Sequence, residues 1–229
     1  WYPMGSSILP SRIYLYNISI KDCGRSAIDS NTSKDGSVFY LYNVSILNNK
    51  DGGIRTSRGS TGQDVTIINS EISDNGNYGV SITDYSHLTM INSKVKNNGN
   101  YGVYISSGSS TPSTITDSTI SGNTPGLCIE SNPTVIGGNT VISGNHSVGN
   151  PGGVYIRGAS VTIKDNVKIT GNMSGTGSRT YPGSGGGVYL NSKVYGSELT
   201  LAGNVEITGN TDSDGNQSNL GIYHSTSKD

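Results

Sequence analysis

The amino-acid sequence is short of charge, of apolar side chains and of cysteine, and each shortage excludes a class of protein. Charged residues make up 14% of the 229 residues and hydrophobic residues 31%, which is too little of either for an ordinary globular domain. The net charge of -1 argues against nucleic acid or an anionic membrane as partner, because both attract clustered Lys and Arg. No apolar run approaches the roughly 20 residues that span a bilayer, so we expect no membrane insertion of this chain.

The two cysteines, Cys23 and Cys128, lie far apart and at unrelated positions, and neither has metal-ligand spacing around it. We therefore expect no disulfide, no metal and no cofactor. The sequence begins at Trp1 without a secretory signal. We expect it to be a segment of a larger protein whose targeting signal lies elsewhere.

Glycine, asparagine, serine, threonine and the β-branched apolar residues are abundant instead, and they recur in a repeat. Eight copies align on one apolar position, at intervals of 22 to 38 residues. The aligned residues are Ile20, Ile46, Ile72, Val95, Ile120, Ile142, Ile169 and Ile207. The variation in interval indicates loops of different length on a constant scaffold.

Asparagine stands three positions before and three positions after this anchor in nearly every copy. The residues before it are Asn17, Asn43, Asn69, Asn92, Asp117, Asn139, Asn166 and Asn204. The residues after it are Cys23, Asn49, Asn75, Asn98, Asn123, Asn145, Asn172 and Asn210. Asn tolerates the left-handed backbone of a sharp corner, and stacked amides bond to one another. We predict two Asn ladders at the corners of a solenoid, with buried amides.

Each copy carries three short apolar alternations, such as "VTI" at 161–163, "VKI" at 167–169 and "GGVYL" at 186–190. Three strands per coil with stacked corners predict an all-β, right-handed parallel β-helix of about eight coils. We expect one domain over 1–229, with an N-terminal extension or cap at 1–11, coils at 12–224, a long loop insertion at 173–185 and a tail at 225–229.

The repeat also resembles known β-helix proteins, through "ISGNT" at 120–124, "ITGN" at 169–172, "GGGVYL" at 185–190 and "ITGNT" at 207–211. These segments resemble the pectate-lyase-like superfold. In repeat style they are similar to bacterial adhesin-like and polymorphic outer-membrane-type surface proteins. The resemblance implies the fold, and it leaves open a polysaccharide lyase, hydrolase or epimerase on one side and a non-catalytic surface protein on the other.

The outward residues of the third strand are the first place to look for a site. Coil by coil we expect them to be Asp29, Arg55, Ser81, Tyr104, Cys128, Tyr155, Tyr189 and Tyr223. No two carboxylates fall in adjacent coils of this row. Asp29 with Arg55, and Glu130 with Arg157, predict cross-strand ion pairs. The alternative is a catalytic group of Asp29 and Arg55 with Asp51 and Arg58 nearby.

The tyrosines of the same row, Tyr104, Tyr155, Tyr189 and Tyr223, predict an aromatic strip for stacking sugar rings or contacting protein. Stacking of the rings on one another, without a ligand, is the structural alternative. Arg179 and Tyr181 of the long loop are expected to flank this strip. Tyr14 and Tyr16 recur as Tyr40 and Tyr42, and the two pairs are expected to stack on each other and to cover one end of the rod.

A threonine row at Thr66, Thr89 and Thr114 raises the question of an ice-binding face, and we expect this row to shift register and break beyond Thr114. The function predicted from the sequence is therefore a non-catalytic, adhesin-like solenoid that presents tyrosines and loops to a glycan or a protein. The alternatives are a lyase or epimerase acting on acidic polysaccharide, and a structural spacer or stalk. We expect a secreted or surface-anchored bacterial protein, monomeric, with a host or environmental glycan or protein as partner.

Overall fold

The computed structural model describes residues 11–31, 36–57, 62–148, 151–175, 185–192 and 196–223. These residues form short strands that belong to three parallel sheets of eight strands each. Every coil of the chain contributes one strand to each sheet in turn, so that neighbours in a sheet are one repeat apart in sequence. The described residues include no helix long and apolar enough to cross a membrane.

Sheet 1 contains β1 (Arg12–Tyr16), β4 (Ser37–Tyr42), β7 (Gln63–Ile68), β10 (His87–Ile91), β13 (Ser113–Thr116), β16 (Thr134–Gly137), β19 (Ser160–Ile163) and β22 (Glu198–Leu201). Sheet 2 contains β2 (Ser19–Lys21), β5 (Ser45–Leu47), β8 (Glu71–Ser73), β11 (Lys94–Lys96), β14 (Thr119–Ser121), β17 (Val141–Ser143), β20 (Lys168–Thr170) and β23 (Glu206–Thr208). Sheet 3 contains β3 (Ile28–Asn31), β6 (Ile54–Ser57), β9 (Val80–Thr83), β12 (Val103–Ser106), β15 (Leu127–Glu130), β18 (Val154–Arg157), β21 (Val188–Asn191) and β24 (Leu220–Tyr223).

The core is a set of apolar columns that run along the axis of the solenoid. On sheet 1, for example, Leu41, Ile67, Met90 and Ile115 are successive register partners, and all four are fully buried. The alternation predicted from the sequence produces this arrangement, because every second side chain of a strand points to the same face. The expected all-β parallel β-helix is therefore confirmed, and Cys23 and Cys128 are both free thiols, as expected.

The second corner, between sheets 2 and 3, holds a continuous buried Asn ladder. Its members are Asn49, Asn75, Asn98, Asn123, Asn145, Asn172 and Asn210. In each step the side-chain amide donates to the Oδ1 atom of the next coil, over 2.8–3.1 Å. At one end the Asn49 Oδ1 atom accepts the backbone N–H of Cys23, and at the other Asn219 accepts from Asn210.

The left-handed backbone at this second corner belongs to the residue before the ladder and not to the ladder asparagine. Asn48, Asp74 and Asn97 have positive φ, and glycine takes the same place in later coils, as at Gly122 and Gly144. The expectation that these ladder asparagines provide the left-handed turn is wrong. They are needed for their amides, which satisfy backbone groups inside the corner.

The first corner, between sheets 1 and 2, differs from the expectation in a second way. Its asparagines are exposed, and Asn17, Asn43, Asn69 and Asn92 have φ of 46–55°. Their amides form separate groups in place of one ladder, which are Asn17 with Asn43 at 2.7 Å, Asn69 with Asn92 at 2.7 Å, and Asp117 through Asn139 and Asn166 to Asn204 at 3.0–3.3 Å. The prediction of buried amides is wrong for this corner.

Hydroxyl groups take the buried role at the first corner. The Ser70 hydroxyl accepts the backbone N–H of Val44 at 3.0 Å, Ser93 accepts from Ser70 at 3.1 Å, and Ser118 accepts from Ser93 at 3.1 Å. The small serine side chain fits inside the turn, so the preceding asparagine points to solvent. The sequence carries this signal as "NS" at 69–70 and 92–93, and our sequence analysis missed it.

The glycine that directly precedes most strands of sheet 3, such as Gly102 before β12 and Gly126 before β15, is explained by the buried ladder. A Cβ atom on Gly102 would lie 2.6 Å from the Gly126 carbonyl oxygen and 2.7 Å from the Asn123 Nδ2 atom. A Cβ atom on Gly126 would lie 2.7 Å from the Asn145 Nδ2 atom. The chain passes so close to the ladder at this point that only glycine fits.

Candidate functional site

The predicted tyrosine strip lies on the outward face of sheet 3, and most of its register is as expected. Asp29, Arg55, Ser81, Tyr104, Cys128, Tyr155 and Tyr189 are successive partners. Tyr223 does not continue this row, because Tyr189 pairs with Gly221, and Tyr223 pairs with Asn191. The placement of Tyr223 in the row is therefore wrong by two residues.

The strip is also largely covered. Tyr155 is 4% exposed and Tyr189 is 0% exposed, and Cys128 between Tyr104 and Tyr155 is buried. These side chains form a small second core outside sheet 3, against which Tyr101, Tyr104 and Tyr223 pack half-buried. We call these six residues the tyrosine cluster. The rings of Tyr155 and Tyr189 have no free face for a sugar, and their contact with each other at a centroid distance of 6.0 Å is structural stacking.

Polar groups beside the tyrosine cluster are held in a state that does not favour catalysis. The Tyr104 hydroxyl donates to Glu130 at 3.0 Å, and Glu130 forms an ion pair with Arg157 at 3.5 Å, as predicted. Burial, with the nearby carboxylate of Glu130 adding to it, raises the pKa of Tyr104 to about 12. Burial raises the pKa of the Cys128 thiol as well. A base or a thiolate nucleophile needs the opposite shift.

The alternative catalytic group is only partly brought together. Asp29 and Arg55 are exposed register partners on sheet 3, and Asp51 is exposed just before β6. Asp29 and Arg55 do not form the expected ion pair within 4.0 Å in the described part of the chain. Arg58 lies outside the described residues, as do Arg179 and Tyr181 of the long loop.

Within the described residues, no group of three His, Cys, Asp or Glu side chains is placed to hold a metal ion.

An exposed aromatic surface exists on sheet 1, where Tyr14, Tyr16, Tyr40 and Tyr42 share the outward face of β1 and β4. We call these four residues the tyrosine platform. Tyr14 is 53% exposed, Tyr16 51% and Tyr42 39%. The ring centroids of neighbouring members are 5.8–6.4 Å apart, with planes tilted by 44–47°. The predicted contact between the two pairs is confirmed, and Tyr14, Tyr16 and Tyr42 keep a large surface open to solvent while Tyr40 is half-buried between them.

A polar groove of about 230 Å³ runs along the first corner beside the platform. It is lined by the exposed amides of Asn43, Asn69 and Asn92, together with Glu71 and Lys94. No side-chain hydrogen bond joins Asn43 to Asn69 among the described residues, because the amide pairs at this corner are Asn17 with Asn43 and Asn69 with Asn92. Planar amides and aromatic faces therefore lie side by side on one surface.

The threonine row continues from the platform along sheet 1. Tyr14 and Tyr40 are followed in register by Thr66, Thr89, Thr114, Val135, Thr162 and Thr200. The predicted shift of register after Thr114 is wrong, since Val135 only replaces one threonine in the row. Beside it, the Asp64 carboxylate contacts the His87 Nδ1 atom at 3.2 Å between β7 and β10. This pair interrupts the uniform, uncharged array that an ice-binding face would need.

Comparison with known proteins agrees with this architecture. The family model described as "Right handed beta helix region" matches residues 5–172. The chain belongs to this family, which confirms the expected right-handed parallel β-helix. Beyond the matched residues, Asn210 continues the buried ladder from Asn172. A comparison with curated proteins found no match, and a comparison with solved structures found none.

Proposed function

We propose that this β-helix is a non-catalytic recognition module that binds a glycan on the tyrosine platform and the adjoining polar groove. The observation that carries the proposal is a group of four outward tyrosines in two adjacent coils of sheet 1, of which Tyr14, Tyr16 and Tyr42 are exposed and Tyr40 is half-buried. This is the function expected from the sequence, but we place the binding site on the tyrosine platform of sheet 1 and not on the covered strip of sheet 3.

The platform has the composition that sugar recognition uses. Aromatic rings offer a large apolar face to the C–H groups of a sugar ring, and tyrosine does so at low entropic cost because it has few rotatable bonds. The ring contacts between the coils hold the tyrosines in place before a ligand arrives. The neighbouring amides of Asn43 and Asn69 supply hydrogen-bond donors and acceptors for sugar hydroxyls.

The absence of an activated group among the described residues favours binding over catalysis. Glycoside hydrolysis needs a pair of carboxyl groups facing each other across the substrate. On sheet 1 the Asp64 carboxylate lies 3.2 Å from His87, and on the adjoining sheet 2 the Glu71 carboxylate forms an ion pair with Lys96 at 3.0 Å. We therefore propose recognition without turnover.

The setting of this module also belongs to the proposal. A rod with little net charge and a surface of Asn, Ser, Thr and Gly resists non-specific adsorption. We propose that the chain acts as a monomer on the surface of a bacterium, or secreted by it, where it meets a host or environmental glycan.

A glycan array compares the wild-type chain with a Tyr14→Ala/Tyr40→Ala variant. We expect the wild-type chain to bind at least one glycan class and the variant to lose about tenfold or more in affinity, as is typical of central aromatic contacts. Tyr85 is 55% exposed on a turn after β9 and lies outside the platform. Tyr85→Ala is therefore the matched control, and it should bind like the wild-type chain.

The covered strip provides a second comparison. Tyr155→Ala/Tyr189→Ala should lower the melting temperature without changing glycan affinity in the protein that remains folded, because both rings are buried. Loss of binding in this variant, with the platform variant unaffected, would place the site on sheet 3 and overturn the proposal. Release of unsaturated uronates from an acidic polysaccharide by the wild-type chain would show a lyase instead.

A further inference from the structure

The surface around the tyrosine platform indicates which class of glycan the platform suits and how the glycan chain is oriented on the β-helix. Two outward columns of sheet 1 begin at the platform and continue along the rod. One contains Tyr14, Tyr40, Thr66, Thr89 and Thr114, and the other contains Tyr16, Tyr42, Ile68, Ile91 and Thr116. We call these two columns the axial track.

We propose that the axial track binds an uncharged, linear polysaccharide whose chain lies parallel to the axis of the β-helix. This inference rests on the proposed function, since it names the ligand class of the same surface. It adds that the ligand carries no ionic groups and that the coils beyond the platform contribute to its binding.

The geometry of the track fits a linear ligand. Strands in neighbouring coils are about 4.8 Å apart, so five coils give a straight track of about 19 Å between the first and last strand. Along the track the side chains change from the larger tyrosines to the half-buried Thr66, Thr89 and Thr114. These short side chains form a flat surface. A ligand that crosses the rod would meet the platform alone, whereas one that follows the axis contacts every coil.

The track carries no excess of positive charge. Among the described residues of the first five coils, sheet 1 and the first corner carry one cationic side chain, Arg12, and two anionic ones, Asp64 and Asp117, with His87 3.2 Å from Asp64. In the groove beside them, Glu71 and Lys94 are register partners. Glu71 also contacts Lys96 at 3.0 Å. A polyanion such as a polyuronate is attracted by an excess of positive charge, and this surface has none. An uncharged glycan does not need this electrostatic attraction, so its affinity does not suffer from the lack of excess positive charge.

The hydrogen-bonding groups along the track are neutral as well. The first-corner amides of Asn43, Asn69 and Asn92 run beside the second column, at the same spacing as the coils. The hydroxyls of Thr66 and Thr89 run along the first column. Amides and hydroxyls both donate and accept, which suits sugar hydroxyls and gives no preference for a carboxylate.

The test measures binding to soluble neutral polysaccharides (a β-glucan, an arabinoxylan and a galactomannan) and to two anionic ones (polygalacturonate and alginate). It is run at low and high salt. We expect a neutral polysaccharide to bind with an affinity that changes less than about twofold with salt, because no ion pairs are formed. Tyr14→Ala/Tyr40→Ala should weaken that binding about tenfold or more.

The direction of the ligand is tested with a bulky charge placed beyond the platform. Thr89→Lys should weaken binding of the long polysaccharide about tenfold and leave binding of a disaccharide of the same sugar unchanged, because only the long chain reaches the third and fourth coils. The matched control is Thr119→Lys in β14 on sheet 2, which is also half-buried and lies off the track. It should change neither affinity.

Each failure has a separate meaning. Tyrosine-dependent binding that is confined to the anionic polysaccharides, and weakened by salt, would overturn the uncharged ligand class and leave the proposed function intact. An unchanged affinity of Thr89→Lys for the long polysaccharide would overturn the axial direction. Binding of no polysaccharide in a tyrosine-dependent way would overturn this inference, and the proposed function would fall as well if the glycan array also shows no tyrosine-dependent binding.

Discussion

The side-chain amide of Asn145 donates to the Oδ1 atom of Asn172 one coil further on, at 2.9 Å, and both residues are fully buried. The Asn145 Nδ2 atom also donates to the Ile120 carbonyl at 3.0 Å, and the Oδ1 atom accepts from the backbone and side chain of Asn123. One side chain therefore joins three coils, and each of its bonds is shielded from water.

Removal of this amide should destabilise the rod strongly. Asn145→Ala leaves several buried donors and acceptors without partners, and each costs about 1–3 kcal/mol. We expect the free energy of unfolding, from urea titration, to fall by about 3 kcal/mol or more. Asn139 in the same coil is an exposed member of the first-corner groups. Asn139→Ala is the control, and it should lower stability by less than about 1 kcal/mol, because water replaces its bonds. Equal losses would contradict the difference between the two corners.

The close passage of the chain over the buried ladder predicts that Gly102 does not accept a side chain. Gly102→Ala places a Cβ atom 2.6 Å from the Gly126 carbonyl oxygen, so the backbone must shift, and overpacking of this kind costs about 1–3 kcal/mol. Thermal unfolding followed by circular dichroism measures the effect. Gly24 has no atom within 4 Å of its would-be Cβ atom, and Gly24→Ala should leave the melting temperature unchanged or slightly raised. If Gly102→Ala does not lower the melting temperature, the coils are stacked more loosely than the structure shows.

The hydroxyl of Tyr104 makes stability depend on alkaline pH. Its pKa is raised from 10.0 to about 12, first by burial and then by the charge and hydrogen bond of Glu130. Between pH 10 and 12 the unfolded chain loses this proton while the folded chain keeps it, so stability falls as the pH rises through that window. Tyr104→Phe lacks the ionisable group and should show a shallower fall in melting temperature over the same range. Parallel curves for the two proteins would show that Tyr104 does not carry this dependence.

The fold could be predicted from the sequence because it depends on local, repeated chemistry. The period-two apolar alternation decides which side chains enter the core, and the 22–38-residue interval decides which strands become neighbours. The recurrence of asparagine three residues from the anchor therefore located both corners. The same recurrence predicted the contact between Tyr14 and Tyr40, which are register partners 26 residues apart.

Exposure on the outer faces could not be predicted in this way. Tyr155 and Tyr14 both point away from the core in the sequence pattern, yet Tyr155 is buried in the tyrosine cluster and Tyr14 is half exposed. Asn145 and Asn139 recur at the same distance from the anchor, yet Asn145 is buried and Asn139 is exposed. The recurrence of asparagine alone does not show this difference, which depends on the buried hydroxyl residue after the first-corner asparagine, here Thr140.

The sequence by itself determined the coil, because the inward and outward directions of a strand follow from alternation alone. The tertiary structure decided which outward surfaces remain open, because that depends on side chains that meet across coils. Tyr101, for example, packs against Tyr104 with ring centroids 5.0 Å apart and joins the cluster that covers sheet 3, whereas sheet 1 keeps its tyrosines at the surface. A contact of this kind depends on the path of the segments between strands, and these segments vary in length from coil to coil without a repeat of their own.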